Sequence, residues 1–190
     1  MILDYLKKNT ASIHLQVEKA NLAKDIVDHT ISINNYVKLL AQNFEFYHTI
    51  EQALLDNASL MNVAIQPFLT DQRSQSLKKD LLSLDPDIKL DEVLKYPYQI
   101  DSENAAIGAL YVSEGSALGG LVIGKHLSHC PELITIKKHH FFGNEVSTIL
   151  AQWKKFQQIV NEHFNSNAHK EEILESAIKT FQLFEQIIQE

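Results

Sequence analysis

Two groups of residues in this chain have the types and spacing for chemistry. The first lies near the N-terminus. Lys7, Thr10, Ala11, His14, Val17 and Glu18 recur at three-, four- and seven-residue intervals, which puts them on one face of a helix. A neutral imidazole is a good iron ligand, and its second ring nitrogen usually donates to a nearby acceptor. Glu18, one turn beyond His14, is the candidate acceptor, and Lys7, two turns before it, is placed to meet an anionic ligand edge. The competing reading is an ordinary histidine on an amphipathic helix, since the chain has 9 His.

The second group is a segment crowded with glycine. Residues 105–124 hold Gly108, Gly115, Gly119, Gly120 and Gly124, all but one of the 6 glycines in the chain. Each interior helical glycine costs about 1 kcal/mol relative to alanine. Five therefore cost roughly 5 kcal/mol, comparable with the whole stability of a small domain. Two gains can offset this. Bare backbone lets a second helix approach closely, which suits the i,i+4 pairs Gly115/Gly119 and Gly120/Gly124. Alternatively, it lets the backbone touch a large flat ligand and allows a kink there. The adjacent pair Gly119-Gly120 fits the second reading better, because neighbours on a helix point about 100° apart.

Together these segments carry a resemblance. Thr10-Ala11-Ser12-Ile13-His14-Leu15-Gln16-Val17-Glu18, followed by Gly108-Ala109-Leu110-Tyr111-Val112-Ser113-Glu114-Gly115-Ser116-Ala117-Leu118-Gly119-Gly120, resembles the haem oxygenase family. It is most similar to the bacterial, bacteriophytochrome-associated branch. Phe181-Gln182-Leu183-Phe184-Glu185 is similar to the family's last core helix. The resemblance implies a single all-α, haem-oxygenase-like multi-helical bundle over residues 1–190. It implies that His14 ligates the haem iron from the proximal side, with Glu18 bonding that histidine and Lys7 meeting a propionate. Gly115, Gly119 and Gly120 match the glycines whose backbone lies against the distal haem face, and Lys154 matches a second propionate-binding lysine.

The implied activity is oxidative opening of haem to biliverdin with release of carbon monoxide and iron. In that reading Gly115 and Gly119 crowd the distal side, and Ser116 with ordered water supplies protons. Ser116 stands where animal-type relatives carry Asp, and Leu121 where the bacterial branch is often polar or basic. The alternative is a non-catalytic haem-binding or haem-sensing protein on the same fold. Electrons must come from an external donor such as a ferredoxin or a reductase, because GxGxxG and a βαβ pattern are both absent. Lys7-Lys8, Lys137-Lys138 and Lys154-Lys155 are the basic pairs available to dock it. A phytochrome is a possible acceptor of the biliverdin.

The elements that must position these residues read as helix after helix. Apolar residues at three-to-four spacing predict helices over Thr10–Ala20 (with Leu3 and Leu6 upstream), Ser32–Leu54, Ser74–Leu84, Ser102 to about Ser128, Phe141–Phe164 and Lys170–Gln189. Residues 85–100, with two prolines, read as a loop with short turns. Phe141, Phe142, Trp153, Phe156, Phe181 and Phe184 read as core, with one or two reaching a ligand edge.

Composition excludes other classes. The length of 190 residues suits one domain of roughly 100–200. A single cysteine, Cys130, excludes an internal disulfide framework and a multi-cysteine zinc site. A net charge of −7 argues against general nucleic-acid binding. No uninterrupted apolar run approaches the roughly 20 residues of a membrane span, so the expected location is cytoplasmic. A ferritin-like di-metal bundle needs Glu-x-x-His on two helices, and the clear instance is Glu45-Phe46-Tyr47-His48. His126 and His129, one turn apart, and His139-His140 read as surface residues.

Overall fold

A computed structural model describes residues 1–164 and 166–190, with the side chains of Val93, Asn167 and Ala168 left aside. The helices are α1 (Ile2–Ala20), α2 (Ala23–Val27), α3 (Ile33–Asp56), α4 (Gln72–Leu84), α5 (Leu90–Val93), α6 (Glu103–His126), α7 (Val146–His163) and α8 (Asn167–Gln189). No strand occurs among the described residues. The architecture is the expected all-α bundle.

Two serine caps set the long central helices. Ser32 Oγ accepts the N–H of Asn35 at 3.2 Å, and Ser102 Oγ accepts that of Ala105 at 3.1 Å. Each satisfies an otherwise orphaned donor at a helix N-terminus. The apolar stripes then dictate packing. Tyr36, Leu39, Leu40, Phe46 and Ile50 of α3 are buried, as are Ile173 and Ala177 of α8. Helix α8 packs against both α6 and α1, and α3 pairs with α4. Gly108 fixes the closest approach, since a Cβ there would lie 2.5 Å from the Ile173 carbonyl oxygen and 2.8 Å from the Ala177 nitrogen.

Several boundaries differ from expectation. Helix α1 begins at Ile2 and incorporates Leu3 and Leu6. Helix α2, five residues long, is too short to show periodicity in sequence. The fifth predicted helix starts at Val146, not Phe141. The residues before it form a turn held by Asp80, whose carboxylate accepts the N–H groups of His140 at 2.7 Å and Phe141 at 2.8 Å. Glu114 interrupts the apolar run in sequence, yet the helical stretch Glu103–His129 is long and apolar enough to cross a membrane by length and composition. In the fold it is a central helix of the bundle, with Ala106–Leu110 buried and Glu114 paired to Arg73.

Candidate active site

A cavity of about 620 Å³ opens between α1 and the middle of α6. That volume lies within the roughly 300–1,000 Å³ usual for small-molecule sites. His14, Val17 and Glu18 of α1 line one side, and Gly115, Ser116, Gly119 and Gly120 of α6 line another. Phe181 and Phe184 of α8 complete the wall beside α1, and Phe141 and Phe142 reach in from the turn before α7. So four of the phenylalanines read as core contribute to the lining, while Phe156 is wholly buried elsewhere.

The glycines of α6 separate into two kinds. Gly108 and Gly124 are packing glycines, because a Cβ at Gly124 would lie 2.4 Å from the Phe142 carbonyl oxygen. The three between them face the cavity with room to spare. A Cβ at Gly119 would meet nothing within 4 Å, at Gly120 only a Phe142 ring carbon at 3.8 Å, and at Gly115 only the Trp153 ring at 3.8 Å. No steric need of the fold excludes a methyl group at these three positions. The i,i+4 packing reading of Gly115 with Gly119 therefore fails, and bare backbone at the cavity wall remains.

His14 is half exposed, with its Nδ1 3.8 Å from Glu18 Oε1. That is longer than a hydrogen bond, so Glu18 stands beside the imidazole without bonding it here. The His14 and Phe181 rings meet in a T-shaped contact, with centroids 5.6 Å apart. Ser116 Oγ donates to the Val112 carbonyl at 2.7 Å. Its proton is thus spent on its own helix, and its lone pairs are what it can offer a cavity water. Lys7 and Lys154 are exposed and are not part of the lining.

Sequence reasoning missed a charged cluster behind the glycine wall. Arg73, in the first turn of α4, lines the cavity together with Tyr47. Its Nη2 lies 2.7 Å from Glu114 Oε2, and its Nη1 donates to the Ser113 carbonyl at 3.0 Å. The guanidinium sits over the Tyr47 ring at 5.4 Å. Glu51 of α3 accepts the N–H groups of Arg73 and Ser74, each at 3.1 Å, and so caps α4 from a neighbouring helix. Burial pushes the Glu51 carboxyl up to about 7 against the pull of those donors and of Arg73. Burial likewise raises Glu114, with Arg73 opposing. One signal was available: Arg73 is the chain's single arginine among its 17 basic residues.

The other candidates are spent elsewhere. Glu45 accepts the backbone N–H groups of Lys95 at 2.6 Å and Tyr96 at 3.2 Å, and the His48 ring stacks on Phe44. His126 Nδ1 shares a 2.9 Å hydrogen bond with His29 Nε2. Among the described residues no group of three or more His, Cys, Asp or Glu is arranged to hold a metal ion.

Comparison with known proteins is consistent along the whole chain. The heme oxygenase of Leptospira interrogans superposes with a TM-score of 0.76 at 17% identity, covering 98% of each chain. The NO- and CO-bound heme oxygenase of Neisseria meningitidis gives 0.73 at 22% identity, covering 100% of this chain and 90% of that one. Heme oxygenase-1 of the cyanobacterium Synechocystis, in complex with heme, gives 0.71 at 18%, covering 99% and 90%. No curated protein matches the chain. The family model described as heme oxygenase matches residues 2–190, and the chain belongs to the haem oxygenase family.

Proposed function

We propose that this protein is a haem oxygenase that binds haem in the cavity between α1 and α6 and opens it to biliverdin, releasing carbon monoxide and iron. One observation carries the reading. A cavity of about 620 Å³ has an imidazole on one side and, on another, three glycines that the fold itself does not require. A flat, largely apolar ligand fits such a slot, since only bare backbone stands where Gly115, Gly119 and Gly120 face it.

Bound haem supplies the redox-active iron and the macrocycle that is oxidised. His14 offers a neutral nitrogen ligand, which lacks the strong electron donation of a thiolate that favours O–O cleavage. Glu18 is near enough to fix the ring's orientation after a small rotamer change. Gly115 and Gly119 keep their side of the cavity free of side chains, so a flat ligand there would meet bare backbone. Ser116, its proton held by Val112, accepts a hydrogen bond from a cavity water and orients it. Lys7 and Lys154 are free to swing toward the carboxylate edge of the ligand. An external ferredoxin or reductase delivers electrons, and within the family the motif residues favour the bacteriophytochrome-associated branch.

The test is reductive turnover of the haem-loaded protein with ferredoxin and its reductase, or with ascorbate. The Soret band should disappear while bilin absorbance grows in the red. A Soret band that persists under those conditions contradicts the proposal and favours a haem-binding protein without turnover.

A further inference from the structure

The turn at residues 139–143 is fastened to the fold from three helices. From α4, the Asp80 carboxylate accepts the His140 and Phe141 N–H groups, one on each oxygen. From α3, the Tyr36 hydroxyl and His139 Nδ1 share a 2.7 Å hydrogen bond. From α6, Gly124 leaves the space that the Phe142 carbonyl fills, since a Cβ there would lie 2.4 Å from that oxygen. Loops run over the surface, where water can satisfy their N–H groups. Here the acceptor is Asp80, only 2% exposed. No lysine or arginine pairs with it among the described residues. Burying a carboxylate on backbone donors alone is costly, and merely connecting two helices does not require it. The gain is a fixed position for the side chains of the turn. Those are Phe141 and Phe142, which line the cavity. The Phe141 ring meets the Tyr47 ring at 5.3 Å and the Phe142 ring at 4.7 Å between centroids. The Phe142 ring is the group nearest to where a Cβ would stand at Gly120, 3.8 Å away.

We infer that this turn is a fixed aromatic end stop, with Phe142 the residue that decides how haem is seated in its plane and Asp80 and Tyr36 the positioning residues that hold it. The inference rests on haem occupying the slot. Gly120 lies about 7.5 Å along α6 from Gly115, less than the width of a porphyrin. A macrocycle lying against Gly115 and Gly119 therefore brings its rim to the Phe142 ring. Haem looks nearly the same after a quarter-turn in its plane, so neither an axial imidazole nor a flat glycine wall distinguishes its meso edges. Contacts at the rim do. Lys7 and Lys154 are exposed and carry their charges on flexible stems, whereas Phe142 is 6% exposed and belongs to an anchored turn. A stop that does not yield presents one edge to the closed end of the slot, and the meso carbon that reacts follows from that seating.

The test uses ferric, cyanide-bound protein loaded with a haem whose vinyl groups are replaced by methyls, so that flipping the ring creates no isomers. Proton NMR then counts the seatings by their sets of haem methyl resonances. The wild type should show one set. Phe142→Leu shortens the stop, and each methylene lost from a buried contact is worth roughly fourfold in an equilibrium. A second set should therefore reach about 10% or more of the population. Asp80→Asn keeps the shape but turns an amide N–H toward one of the two backbone donors, and it should yield the second set with Phe142 intact. Should Asp80→Asn fail to fold by circular dichroism, Phe142→Leu still decides the matter. Ile173→Val, a core truncation between α8 and α6 outside the cavity lining, should keep one set. Under reductive turnover, Phe142→Leu should give a second biliverdin isomer in the proportion of its second seating. One set in Phe142→Leu overturns the inference and leaves the proposed function standing. A second set that appears equally in Ile173→Val overturns it too, since that marks general loosening. If the wild-type protein forms no saturable haem complex at all, the proposed function fails and this inference with it.

Discussion

A methyl group distinguishes the two kinds of glycine in α6. At Gly108 an added Cβ collides with the backbone of α8 at 2.5 Å, which cannot yield without separating the helices. Gly108→Ala should therefore destabilise by about 1–3 kcal/mol, the usual range for overpacking. At Gly119 the same methyl meets open space, so Gly119→Ala should stabilise, by up to about 1 kcal/mol from helix propensity. Urea unfolding of the two variants checks the opposite signs. His14→Ala should leave stability within about 0.5 kcal/mol, as for other half-exposed positions. It should also weaken haem binding and shift the Soret maximum; unchanged haem affinity and spectrum would show that His14 is not the ligand. His14 and the cavity glycines were legible in sequence because helical spacing placed them on defined faces and the family resemblance set the two segments on either side of one ligand. Arg73 was not, since its role depends on Glu114 and Tyr47, 41 and 26 positions away. Nor can a one-dimensional motif show which glycines touch backbone and which touch open space.

Individual helices are joined by carboxylates that cap from a distance. Glu51 of α3 takes the first N–H groups of α4, and Asp80 of α4 holds the turn before α7. Burial raises the Glu51 carboxyl to about 7, so the folded state holds its proton more tightly than the unfolded chain does. That contribution is full below the ordinary carboxylate range and is lost as pH rises through about 7. Wild-type protein should therefore lose stability relative to Glu51→Gln between about pH 5 and about pH 8. Thermal melts of both proteins across that range read the gap, and a gap independent of pH contradicts the assignment. Long elements with apolar stripes and serine caps, α3 and α6 above all, were readable from the sequence. Helix α2 was not, being shorter than the window in which periodicity appears. The turn at 139–143 was misread because Phe141 and Phe142 continue the apolar pattern of α7, while Asp80 diverts the backbone through a contact sixty positions distant.

The cavity belongs to the whole molecule. Its walls come from α1, α2, α3, α4, α6, α7 and α8, so no part of the chain presents it alone. A ligand that binds only this assembled state must stabilise it, by about 2.7 kcal/mol at a free concentration one hundred times Kd. For a chain of this size that corresponds to a rise in Tm of roughly 5–10 °C on adding haem. At the same haem concentration the rise should fall by about half or more in Gly119→Leu, whose side chain occupies the slot while leaving the surrounding helices in place.

Haem titration of wild type and Gly119→Leu, followed at the Soret band, tests the central claim most directly. Saturable one-to-one binding by the wild type should be weakened at least about 10-fold in the variant, equivalent to about 1.4 kcal/mol, with its circular dichroism unchanged. No saturable Soret complex in the wild type, or equal affinity in the two proteins, would contradict a haem site between His14 and the glycine face of α6.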